Sequence, residues 1–392
     1  MFWKIHQLML KMPMLQNIRI LFFFFDWVVL KFIKKPKRTS ATKNVLLVFP
    51  LSLGDAVMMH GSLSMLREKF SAPDYELNIL CQTGYEELFE DVCDVVISVN
   101  LRKASTHIRD RILFLKTCRS KYYDVVIDPT GMEECHPGVF AVYASCADVK
   151  IGVLSNRDKK YQTPRWLMKS AFTDVIYMEE KFVHKVRYYA EVFSKITRTE
   201  KKPTLAKISV RNRMDLPEKY IIVYPSASIP AKRWPVERFV SVTEQVLAQW
   251  GVPIVVCGTN SDYEINQSYI SRLKKDIAVI DFTGKTSVME FVELIGRATF
   301  VFTNDTSVYH IAIAMHRKTC CVTGAYVYKS FVDYKSEGLV QEDEVAFVAP
   351  TCVCMNCENQ CDKEFNEVYP CVMQNTEEQV KKVVAHLMRE RI

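Results

Sequence analysis

Short apolar runs recur along most of the chain, and stretches with helical spacing lie between them. From the middle forties the runs cover residues 44–49, 76–80, 95–99 and 124–128. A polar, proline-containing stretch at 199–213 interrupts them, and they resume at 220–224, 253–257, 278–281, 300–303 and 319–322. Amphipathic stretches at 55–70, 236–250, 288–296 and 306–315 alternate with the runs, and 376–389 reads as a closing helix. Short strands that are apolar on both faces and separated by helices form parallel sheets covered on two sides. The expected fold class is α/β, with two doubly wound, Rossmann-like domains. The expected division is an arm over 1–43, a first domain over 44–200, a second over 214–350, and a segment over 351–392 that ends in the closing helix. Ligands of such sheets sit beyond the carboxyl ends of the strands, and two domains imply a cleft.

Composition narrows the class. The chain has 392 residues, 49% hydrophobic and 25% charged, which excludes a disordered or collagen-like chain. The net charge of +7 is an N-terminal property. Residues 1–43 hold nine Lys/Arg and one acid, Asp26, and the remainder has 43 bases against 44 acids. A balanced body argues against a nucleic-acid partner, which would call for bases spread over the fold.

The arm contains ILFFFFDWVVL at 20–30, followed by Lys31, Lys34, Lys35, Lys37 and Arg38. Eleven residues interrupted by Asp26 fall short of the ~20 needed to span a bilayer. The basic continuation offers no small-residue cleavage site. On a helix, Gln16, Arg19 and Asp26 fall on a narrow stripe and the aromatics cover the rest. Such a helix is expected to lie in an anionic membrane interface. The alternative is a helix packed on the protein's own core.

Four stretches carry candidate chemistry. In NVLLVFPLSLGDAVMMHG, Gly54 turns the chain at a strand end and Asp55 opens the next helix. That carboxylate serves either as a helix cap or as a general base. In YIIVYPSASIPAKRWP, Ser226, Ser228 and Lys232 precede a helix, an arrangement suited to phosphate. In PIVVCGTNSDYE, Asp262 or Glu264 stands where an acid often accepts a ribose hydroxyl, or else starts a helix. In ATFVFTNDTSVYHIAIAM, Asp305, Thr306 and Ser307 open a helix whose free N–H groups favour an anion, and His310 lies in its first turns. A histidine there can equally satisfy a buried carbonyl.

Taken in order, SLGDAV, YDVVIDPTG, PSAS…KRWP, FTGKTSVMEFVELIGRA and TNDTSVYHIAIAM resemble the bacterial heptosyltransferases, glycosyltransferase family nine. The resemblance runs from about residue 44 to 325. It implies a GT-B fold and an inverting transfer of sugar, usually from ADP-heptose, to a lipopolysaccharide core, with no catalytic metal or other cofactor. It implies that Asp55 is the base, that Ser226, Ser228 and Lys232 contact the donor phosphates, and that Asp305, Thr306, Ser307 and His310 complete the donor site. The family's glycine is replaced here by Ser307. Expected partners are a nucleotide sugar and an anionic glycolipid, for which Gly54, Arg102, Lys103, Arg109 and Arg111 are acceptor-side candidates. The expected location is cytoplasmic, on the inner face of the cytoplasmic membrane.

Thirteen cysteines remain. Eight lie among apolar residues before 350 and read as core, which favours a reducing compartment. Five crowd together as Cys352, Cys354, Cys357, Cys361 and Cys371. Spacing of two to four residues suits a structural zinc on Cys354, Cys357, Cys361 and Cys371, and the alternative is a loop of free thiols.

Overall fold

The computed structural model describes residues 18–132, 137–155, 163, 165–180, 183–200, 203–341, 344–350, 352, 354–359 and 361–389. Two compact units divide them. The first comprises the described parts of Met1–Ser52, Ser62–Lys181 and Tyr188–Lys202. The second comprises those of Leu53–Gly61, Phe182–Arg187 and Pro203–Ile392.

The first unit is built on a parallel sheet of β1 (Lys43–Phe49), β2 (Tyr75–Gln82), β3 (Val95–Val99), β4 (Tyr122–Ile127), β5 (Cys146–Ser155) and β6 (Asp174–Met178), in the order β3-β2-β1-β4-β5-β6. Residues 44–49 of β1 are all buried, as a strand covered on both faces requires. The second unit repeats the plan with β7 (Ile221–Tyr224), β8 (Ile254–Val256), β9 (Val279–Asp281), β10 (Phe300–Asn304), β11 (Thr319–Val322) and β12 (Val345–Val348), in the order β12-β11-β10-β7-β8-β9. Both orders reverse beside the first strand of their unit, between β1 and β4 and between β7 and β10. Such a reversal leaves a crevice at the strands' carboxyl ends.

The two halves do not divide at the connector alone. The helix after β1, Leu53–His60, belongs to the second unit. The single helix expected over 55–70 is two, Leu53–His60 and Leu63–Lys69. Gly61 lies at the break, and a Cβ there would stand 2.1 Å from the Thr204 carbonyl oxygen. Thr204 Oγ1 also donates to the Gly61 carbonyl at 2.9 Å. The connector is thus packed directly on this turn.

The arm helix spans Ile18–Phe32. Asp26, on the narrow stripe shared with Gln16 and Arg19, is fully buried, as packing on the protein's own core requires. Its carboxylate accepts from Arg111 Nε at 2.9 Å, and the Arg111 guanidinium lies about 5 Å from the ring centroids of Phe22, Phe114 and Phe140. Phe23 packs on Tyr143 and Trp166, and Arg119 donates to the Leu30 carbonyl. One face of the helix is therefore core. The other face exposes Phe24, Trp27, Val28 and Phe32, with Lys31 over the Trp27 ring. Gln16 and the Arg19 side chain lie outside what is described. Among the described residues no helix is long and apolar enough to cross a membrane.

Candidate functional site

The site is set by the reversal in the second sheet. β7 and β10 run side by side, Tyr224 opposite Thr303. The chain leaves β7 into Ser226 and leaves β10 into Asp305, so both loops emerge at one edge. Asn304 ties them together. Its Nδ2 donates to the Pro225 carbonyl at 2.8 Å and its Oδ1 accepts from the Trp234 backbone N–H at 3.0 Å. Trp234 is fully buried, and its indole N–H donates to the Asn375 carbonyl. The loop from Ser226 to Trp234 is thus held at its base and at its far end.

Lys232 lies in a short 3-10 turn, Pro230–Lys232. Its ammonium is 3.1 Å from Asp305 Oδ2 and 4.7 Å from the centroid of the Tyr326 ring. The Lys232 side chain is 15% exposed and that of Asp305 4%, so the pair is largely desolvated. Asp305 therefore fixes the ammonium at the strand edge. The helix Ser307–Ala314 starts two residues later, with Thr306 as its N-cap accepting from the Val308 N–H. Thr306 and Ser307 are half-buried, and Ser228 is exposed.

His310 is buried in that helix. Its Nδ1 lies 2.9 Å from the Tyr334 hydroxyl, and its Nε2 lies 4.0 Å from Asp305 Oδ1. Burial pushes its pKa below the usual imidazole range, against the raising influence of Asp305 and Asp55. Gly54 meets this ring directly, since a Cβ on Gly54 would stand 3.0 Å from His310 Cδ2. Glycine is needed for the helices Leu53–His60 and Ser307–Ala314 to approach this closely. Asp55, in the first turn of the former, is half-buried in the same unit. Asp55, Lys232, Asp305, Thr306, Ser307 and His310 are therefore gathered within one unit.

The structure also sets the surroundings of the remaining candidates. Ser226 is fully buried, and its hydroxyl donates to Asp262 Oδ1 at 2.7 Å. The other oxygen of Asp262 accepts from the Thr259 N–H and hydroxyl. Ser226 and Asp262 thus brace two loops against each other. Glu264 is exposed at the start of the next helix, Tyr263–Arg272. Arg111 is buried against Asp26 and is no acceptor contact, whereas Arg102, Lys103 and Arg109 are exposed. The cysteines line a common pocket with Tyr326 and Tyr369, and Cys352 Sγ is 3.5 Å from Cys354 Sγ. Among the described residues no group of three or more side chains is already placed to hold a metal ion. Tyr326, Tyr334 and His184 were not singled out in the sequence, and the tying role of Asn304 was not read there. Asn304 lies in the quoted motif beside Asp305, whereas the two tyrosines and His184 give no local signal.

Comparison with known proteins bears on this arrangement. The model of a family described as Glycosyltransferase family 9 (heptosyltransferase) matches residues 111–331. A lipooligosaccharide heptosyltransferase 2 of Haemophilus influenzae is 22% identical over 299 residues, covering 72% of this chain and 83% of that protein. A family 9 glycosyltransferase structure from Veillonella parvula superposes with a TM-score of 0.67 at 18% identity, covering 91% of this chain and all of that one. The structure of an ADP-heptose lipopolysaccharide heptosyltransferase II from E. coli gives 0.64 at 16% identity, covering 88% and 99%. At these identities the structural likeness establishes the fold, two Rossmann-like units of the GT-B type.

Proposed function

The chain belongs to glycosyltransferase family 9, the heptosyltransferases, and from that premise we propose that it moves heptose from ADP-heptose onto a lipopolysaccharide core or a related lipid-linked glycan. Asp55 takes the proton of the acceptor hydroxyl. The hydroxyl oxygen attacks the anomeric carbon opposite the departing ADP, so the configuration inverts. The bond from that carbon to the diphosphate oxygen breaks, and its electron pair leaves with ADP. Lys232 and the N–H groups opening the helix Ser307–Ala314 neutralise the charge that develops there, without a catalytic metal or other cofactor. The observation that carries the proposal is the Gly54–His310 contact, which joins the Asp55 helix to the anion-receiving helix within one unit.

The donor named for the E. coli protein supports the choice of ADP-heptose. On the acceptor side, Arg102, Lys103 and Arg109 are exposed bases for an anionic glycolipid. The exposed face of the arm helix and the exposed Lys31, Lys34, Lys35, Lys37 and Arg38 support placement on the inner surface of the cytoplasmic membrane. A second reading, a relative that binds nucleotide sugar without transferring it, rests on Ser307 in the place of the family's glycine.

The test is a donor titration and initial rates with ADP-heptose for the wild type and Asp55→Asn. Asparagine keeps the size of the side chain but cannot take a proton. Transfer should fall ~10²–10⁴-fold with donor affinity nearly unchanged. A near wild-type rate would reduce Asp55 to a structural role. Donor binding without turnover in the wild type would favour the second reading.

A further inference from the structure

We propose that Tyr334 is a positioning residue that holds His310 in the Nε2–H tautomer, so that a buried, neutral imidazole presents a hydrogen-bond donor to the diphosphate of the donor sugar. The proposal rests on the donor site described above and adds to it a residue outside the matched motifs.

A neutral imidazole has one donor nitrogen and one acceptor nitrogen, and its surroundings choose between them. Tyr334 is buried, and its hydroxyl lies 2.9 Å from His310 Nδ1. Burial raises the phenol pKa well above the usual tyrosine value, so the hydroxyl keeps its proton. Among the described residues Nδ1 is the one hydrogen-bond partner of this hydroxyl. With the ring proton on Nδ1, the phenolic proton would be buried without an acceptor, which is costly. The arrangement that satisfies both groups has Tyr334 donating to Nδ1 and the ring proton on Nε2.

The Tyr334 ring has little freedom to do otherwise. His184 meets it edge-on at 4.3 Å between centroids, and Tyr309 does so at 5.9 Å. On the other side of the imidazole, Gly54 leaves room for Cδ2 and Nε2 at the helix contact. Nε2 is 4.0 Å from Asp305 Oδ1, too long for a hydrogen bond, so Asp305 does not occupy the donor. The charged groups that act on the ring are Asp305 and Asp55, which favour its protonation, and Lys232, which opposes it. Burial outweighs them and keeps the ring neutral. A neutral donor held at fixed geometry strengthens its bond as charge grows on the leaving diphosphate.

The experiment labels the eight histidines with ¹⁵N and reads tautomers from long-range proton–nitrogen correlations, with His310→Gln assigning the His310 signals. Wild-type His310 should show a protonated Nε2 and a hydrogen-bonded, unprotonated Nδ1. Adding ADP should shift the Nε2 resonance, and UDP or GDP serves if another base is preferred. Tyr334→Phe keeps the ring contacts and removes the hydroxyl. It should lose the fixed tautomer and lower kcat on the order of tenfold, with donor Kd changed less than about twofold. The Tyr334→Phe effect on kcat should largely disappear in a His310→Gln background, because it acts through that ring. A proton on Nδ1 in the wild type, no response of Nε2 to any diphosphate, or additive effects in the double variant would each overturn the proposal. The tautomer is read without turnover, so failure to transfer heptose would count against the enzymatic reading and leave the Tyr334 contact to its own test.

Discussion

His184 is buried beside Tyr334, and burial together with the nearby His310 lowers its pKa to about 3. In the unfolded chain the same imidazole titrates near its ordinary value of about 6.5. Between those values the unfolded state binds the extra proton, so this contribution to stability is complete above the unfolded pKa and is lost as pH falls toward 3. The slope is at most about 1.4 kcal/mol per pH unit for one histidine. Urea melts of the wild type and His184→Asn at pH 7, 6 and 5 should therefore converge on acidification, because asparagine has no proton to gain. A stability gap that stays constant with pH would mean that His184 takes up its proton equally in the folded and unfolded states. Residue types in the motifs revealed the chemistry available at the site, while partners distant in sequence determined its use. Asp262 is an acid in the expected loop, yet Ser226, from a different strand end, engages it. Arg111 reads as a surface base until Asp26 is brought to it by the packing of the arm.

The arm helix shows the same limit for a whole element. Its composition is amphipathic for a membrane and for a core alike, and only packing assigns each face. Asp26 and Arg111 form the polar centre of the buried face, and removing one partner of a buried pair typically costs 3–5 kcal/mol. Asp26→Ala should thus lower thermal stability sharply while Phe24→Ser with Trp27→Ser should not. The double serine variant should instead lose sedimentation with anionic liposomes, and its full retention would refute the interfacial role. Strands were legible where they are central. Apolar runs marked β1 to β4 and β7 to β11 to within a few residues. β5 and β6 were missed because polar and apolar residues mix along them, as in ADVKIGVLS. β12 is a four-residue edge strand with a correspondingly faint pattern.

Across the whole molecule, the repeat of architecture was readable, whereas the order of the strands and the ownership of segments were not. The Asp55 helix follows the first strand in sequence yet packs within the second unit, because Gly54 admits His310 and Gly61 admits the connector. Periodicity carries no signal for that choice. Gathering the candidate base with Lys232 and the helix start in one unit bears on how leaving-group charge is met. Lysine and oriented N–H groups stabilise a diphosphate without a divalent cation, and Lys232 already stands at the strand edge on Asp305. Transfer should accordingly persist when the protein is assayed in excess EDTA. The five C-terminal cysteines require a parallel control, because their pocket shares Tyr326 with Lys232 and adjoins Tyr369, whose N–H donates to the Ala231 carbonyl. The melting temperature should be measured in the same buffer. Loss of activity with an unchanged melting temperature, restored by Mg²⁺ or Mn²⁺, would show that the diphosphate needs a metal and that Lys232 and the helix start are insufficient. Loss of both together would instead trace the effect to the cysteine segment behind the Lys232 loop.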